Sequence, residues 1–105
     1  MSKPEELGFN AKIFGCVDRA LAEFGTGVKE ALYYQIRQRH GISPPEFARR
    51  PAEVIEYLRE IIGPTSFPVI ERLINIQIRS SFGVEVREGA SVNEMINQAR
   101  SRFLG

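Results

Sequence analysis

The chain has 105 residues, 43% of them hydrophobic and 26% charged, with a formal net charge of +1. That is enough apolar material for one folded core, and the charge is too balanced to argue for nucleic acid by itself. A single cysteine, Cys16, and a single histidine, His40, exclude an internal disulfide and a zinc site built from Cys and His.

No apolar run approaches the roughly 20 residues that span a bilayer. The opening Met1-Ser2-Lys3-Pro4-Glu5-Glu6 lacks the apolar core of a signal peptide. A soluble cytoplasmic protein without membrane contact is expected.

The first helix is predicted from Phe9 to Phe24. Phe9, Ile13, Cys16, Val17, Ala20, Leu21 and Phe24 share one face. Cys16 lies inside that stripe and reads as a small buried hydrophobe rather than a reactive thiol. Gly25 ends the helix, and Thr26 is expected to cap the next, which runs to His40 with Val28, Leu32, Tyr33 and Ile36 inward. Gly41 stops it. His40 sits in the last turn, where an imidazolium favours the helix dipole.

Ser43-Pro44-Pro45-Glu46 reads as a capping box with proline at the first helical position. Its helix must be short, because Pro51 follows and opens another that reaches Ile62. There Val54, Tyr57, Leu58, Ile61 and Ile62 form the apolar face, and Glu53, Glu56, Arg59 and Glu60 face water. Gly63-Pro64 ends it.

A fifth helix is expected from about Ser66 to Phe82. Val69, Ile70, Leu73, Ile74, Ile76, Ile78 and Phe82 sweep an apolar arc of roughly 240°, with Glu71, Arg72, Asn75 and Arg79 on the remainder. So broad an arc places this helix near the centre of the core or at a subunit interface. Residues 84–89 read as a loop or short extended piece. Ser91-Val92-Asn93-Glu94 is a second capping box, opening a last helix to about Leu104 with Val92, Met95, Ile96, Ala99 and Phe103 inward. The fold class is therefore all-α, one bundle of five to six helices in a single domain.

A phrase recurs 42 residues apart: Gln35-Ile36-Arg37 leads to Gly41-Ile42, and Gln77-Ile78-Arg79 leads to Gly83-Val84. Two readings stand. The chain holds pseudo-duplicated halves, or two helices end alike because the same capping chemistry stops both.

Gly27-Val28-Lys29-Glu30-Ala31-Leu32-Tyr33-Tyr34, a Gly-Ile stop, Pro51 followed by Val54-Ile55-Glu56-Tyr57-Leu58, Ile61-Ile62-Gly63, and a helix ending Phe82-Gly83 together resemble the Nitrosopumilus output domain family. The likeness covers about residues 9–84. It implies a small archaeal helical module with a regulatory or interaction role, found alone or joined to signalling proteins. It supplies no catalytic residues.

The residues themselves offer no catalytic set, no metal ligands and no cofactor motif. Glu53, Glu56 and Glu60 read as a solvated face, and Gly25-Thr26-Gly27 is too short for a phosphate loop. A non-enzymatic module acting through protein–protein contacts is expected, with Tyr33, Tyr34, Ile76 and Arg79 as interface residues and self-association into a homodimer as one form of it. The alternatives are a nucleic-acid-binding regulator in which Arg37, Arg39, Arg49 and Arg50 converge across the Gly41 turn, and a small-molecule sensor with an apolar pocket beneath Gly63-Pro64.

Overall fold

Proline opens four of the six helices, and it does so where its missing N–H costs nothing. The computed structural model describes residues 3–85 and 87–104. Among them the chain forms α1 (Pro4–Ala22), α2 (Thr26–His40), α3 (Pro44–Phe47), α4 (Pro51–Ile62), α5 (Phe67–Phe82) and α6 (Val92–Leu104), with no strand. The fold is all-α, and no described helix is long and apolar enough to cross a membrane.

The helix at the centre is α1, not α5 as the apolar arc suggested. It packs against α2, α4, α5 and α6, and its contact with α5 is the most extensive in the molecule. Phe9, Ile13, Cys16, Val17, Ala20 and Leu21 are fully buried along it. On one flank α5 packs against α6, and on the other α2 packs against α4. The body measures 36 × 35 × 20 Å. A thickness of 20 Å is two helix diameters of about 10 Å each, so the helices form two layers.

Local chemistry sets most boundaries. Gly41 (φ 71°) and Gly83 (φ 69°) adopt the left-handed cap conformation, and their N–H groups donate to Arg37 and Arg79 carbonyls at 2.9 and 2.8 Å. The recurring phrase thus marks two identical helix stops.

Other boundaries differ from the sequence reading. α1 starts at Pro4, five residues early, with Glu5 and Glu6 favouring its N-terminal dipole. It ends at Ala22, leaving Phe24 41% exposed. Thr26 is the first helical residue of α2, and Gly25 at φ 110° takes the cap position instead. Val28 and Phe103 leave their expected inward stripes and are exposed. On α5, Val69 and Ile76 face solvent while Asn75 is buried, because the 87–90 turn folds over the Asn75 side.

The two capping boxes behave differently. Ser91 Oγ accepts the Glu94 N–H at 3.1 Å, whereas the Ser43 side chain makes no cap bond. α6 has further support, since Glu71 Oε2 on α5 accepts the Val92 N–H at 3.0 Å. Val86, within the expected extended piece, lies outside the described residues, and the neighbouring residues are a loop.

α3 is one turn long and is held by packing rather than propensity. Its Phe47 is fully buried, 5.8 Å from the Phe14 ring of α1 and 5.0 Å from the Tyr33 ring of α2. That side chain pins the crossover between α2 and α4.

Candidate functional site

Tyr33 serves the interior more than the surface. Its ring packs on Phe14 and Phe47, and its hydroxyl donates to Asp18 Oδ1 at 2.8 Å. Burial, then that hydrogen bond and the charge on Asp18, push the phenol well above its ordinary range. Lys29 Nζ completes the group, 3.3 Å from the same carboxylate. Tyr34, its neighbour, points outward and is 61% exposed.

Ile76 and Arg79 lie elsewhere. α1 turns Phe14 and Asp18 toward α2, and Lys12 and Arg19 toward α5. At about 100° per residue these two sets lie roughly 130° apart around α1. Hence α2 and α5 pack on different faces of α1, and Tyr34 on α2 does not share a stripe with Ile76 and Arg79.

Ile76 and Arg79 instead belong to a stripe with two residues that sequence reasoning did not choose. Val69, Arg72, Ile76 and Arg79 fall within about 80° on the back of α5, opposite its buried residues Ile70, Ile74 and Ile78. Val69 is 57% and Ile76 45% exposed. Neither arginine has an ion-pair partner among the described residues. The periodicity that located α5 contains this stripe, but an arc of 240° does not say which part faces out.

Beside the stripe runs a groove of about 590 Å³ between α5 and the 87–90 turn, with Arg72, Asn75, Ile76, Arg79 and Arg87 among its walls together with Glu71, which is taken up by the Val92 N–H, and Glu88. Asn75 is the one buried polar side chain among the described residues. Its Nδ2 donates to the Ala90 carbonyl at 2.9 Å, and its Oδ1 has no partner. An unpaired buried acceptor costs about 1–3 kcal/mol. Arg87 is engaged by Glu94 at 2.7 Å.

The four arginines of the nucleic-acid reading do not converge. Arg39 pairs with Glu60 at 3.4 Å, near the C-terminal end of α4. Arg50 precedes the first residue of α4 and pairs with Glu53 at 3.6 Å. About 15 Å of helix axis separates those two ends of α4. Arg37 and Arg49 are exposed. α3 is too short for a recognition helix, and its Phe47 points into the core.

The space beneath Gly63-Pro64 is filled. Phe67 is buried there, donating its N–H to the Gly63 carbonyl, and the Arg59 guanidinium lies 4.5 Å from its ring. His40 stacks on Tyr57 with ring centroids 3.6 Å apart, and its Nε2 lies 3.7 Å from Glu60, too far for a hydrogen bond. No cluster of three or more His, Cys, Asp or Glu suited to a metal occurs among the described residues.

Comparison with protein-family models, with curated proteins and with solved structures found no match to this chain.

Proposed function

We propose that the chain is a non-enzymatic interaction module of the regulatory or signal-output type, working in the cytoplasm through protein–protein contacts made by the back of α5. The observation that carries this reading is the stripe of Val69, Arg72, Ile76 and Arg79: two exposed aliphatic side chains alternating with two arginines that no described carboxylate neutralises. Arginine is enriched at interfaces, where its fork makes charge-assisted bonds and its stem packs. The likeness to the Nitrosopumilus output domain family points the same way, toward an archaeal signalling setting.

A heterologous partner fits better than a second copy. Within the stripe there is no carboxylate, so two stripes placed face to face would gather four guanidinium groups without counter-charge. The expected solution mass is therefore that of one 11.9 kDa chain.

The test is photo-crosslinking in the native host from single positions. A crosslinking residue at Val69 or Ile76 is expected to give discrete protein adducts that the same residue at Gln38, exposed on α2, does not give. No adducts from either stripe position, or an identical set from position 38, refutes the reading.

A further inference from the structure

Resting on that reading, we infer that the groove between α5 and the 87–90 turn binds a short acidic peptide segment of the partner. Three features of the groove choose this occupant. Arg72 and Arg79 stand just under two turns apart on one helix wall, about 10 Å along its axis, each without a carboxylate partner among the described residues. That spacing matches side chains about three residues apart in an extended chain. Ile76 lies between them and offers an apolar contact for an aliphatic side chain.

The third feature is Asn75. It lines the groove, is 4% exposed, and holds the Ala90 carbonyl with its Nδ2 while its Oδ1 goes unpaired. An extended peptide brings backbone N–H groups at regular intervals, and one of them supplies the donor that Oδ1 lacks. The 87–90 turn roofs the amide, and Gly89 at φ 77° lies within that turn. Oδ1 is itself closed off beneath this turn, so binding requires the turn to move outward.

An enclosed small-molecule site is a weaker match. Such sites are enclosed and mostly apolar, whereas this groove is only half enclosed and is lined by the charged side chains of Arg72, Arg79, Arg87, Glu71 and Glu88. A nucleic acid would meet the arginines with phosphate, but its backbone has no N–H for Asn75.

The experiment selects a random 12-residue peptide display library on the full chain, then measures the enriched synthetic peptide by fluorescence polarisation and by 15N-resolved NMR. Peptides with Asp or Glu around an aliphatic residue are expected. Their binding should weaken by about tenfold or more in the Arg72→Glu/Arg79→Glu double variant, through loss of charge-assisted bonds. That variant stays folded, since both side chains are exposed, and loses only the few degrees of melting temperature expected from a carboxylate in the last turn of α5. Arg72→Gln/Arg79→Gln, without the reversed charge, should weaken binding in the same direction. On titration the Asn75 side-chain NH₂ signals should move.

Failure to enrich any peptide overturns the inference, as do peptides without acidic residues, or binding that ignores the double variant or leaves the Asn75 signals in place. A random DNA duplex that binds with the same dependence on Arg72 and Arg79 overturns it too. Crosslinks from Val69 and Ile76 without acidic peptides would sink this inference alone and leave the interaction module standing. Absence of those crosslinks removes the module itself.

Discussion

Phe47→Ala should be the most damaging single truncation outside the central helix. Phe47 is fully buried, and its ring meets Phe14 and Tyr33 at 5.8 and 5.0 Å. Deleting a buried phenylalanine side chain costs about 3–5 kcal/mol when the site cannot collapse. Collapse is hindered here, because α3 is four residues long with proline at both of its first positions, and Pro51 opens α4 soon after. Total stability for a domain of this size is about 5–15 kcal/mol, so the loss takes a large share of it. At about 4–8 °C per kcal/mol, the melting temperature should fall by roughly 12–40 °C. The chain has no tryptophan, so guanidinium unfolding followed by far-ultraviolet circular dichroism is the suitable assay. Phe47→Leu, which keeps most of the volume, should cost under half as much. A loss below about 1.5 kcal/mol for the alanine variant would refute the claim that this side chain pins the crossover.

The two serine caps give a paired test. Ser91→Ala removes a bond to the Glu94 N–H and should cost about 1 kcal/mol, whereas Ser43→Ala, which removes none, should cost a few tenths at most; equal losses in urea titrations would contradict the geometry. Tyr33 predicts a pH dependence. Its folded-state pKa is raised, so the native state keeps its proton above pH ~10 while the unfolded state releases it. The unfolded state then binds fewer protons, and stability falls as pH rises above ~10, by at most about 1.4 kcal/mol per pH unit from this group. Tyr33→Phe should be less stable at neutral pH through loss of the bond to Asp18, yet lose less between pH 9 and 11.5 than the parent. Parallel stability curves for the two proteins across that range would show that Tyr33 is not the source.

How much of this was legible in the sequence depended on how local the cause was. Both ends of α4, the C-terminal ends of α2 and α5, and the left-handed glycines 41 and 83 follow from proline and glycine acting within a residue or two of themselves. The start of α1 is not legible in the apolar periodicity, which begins only at Phe9. The first turn is signalled instead by Pro4 and two acidic residues, and Leu7 within it is 43% exposed. The sequence pattern puts Asn75 on the polar side of α5, where amides usually lie. It is buried through a turn fifteen residues later in the chain, which no window around Asn75 contains. Ser43 and Ser91 carry the same capping signal, and only the structure distinguishes them. Of the expected interface residues, Ile76 and Arg79 share the stripe, Tyr34 lies apart from it on α2, and Tyr33 is largely taken up by Asp18 and the aromatic cluster.

Apolar side chains reach solvent on other helices too, Val28 and Tyr34 on α2 and Phe103 on α6, but on α5 two exposed aliphatics share one line with two arginines that lack an ion-pair partner among the described residues. α2 shows Glu30, Gln35 and Gln38 to solvent beside Val28 and Tyr34, whereas α4 shows Glu53, Glu56 and Glu60, as surface helices ordinarily do. On α5 the equivalent positions hold valine and isoleucine, β-branched residues that a helix tolerates less well than glutamate or lysine. Exposed by 57% and 45%, they bury too little area to offset that preference within the chain. Single exposed aliphatics are ordinary, but these two lie on one line with two arginines lacking a counter-charge among the described residues. Fold stability accounts for Ile70, Ile74 and Ile78 on the opposite face of the same helix. It does not account for Val69 and Ile76, and a partner that covers them would convert both the apolar exposure and the unpaired arginines into binding free energy.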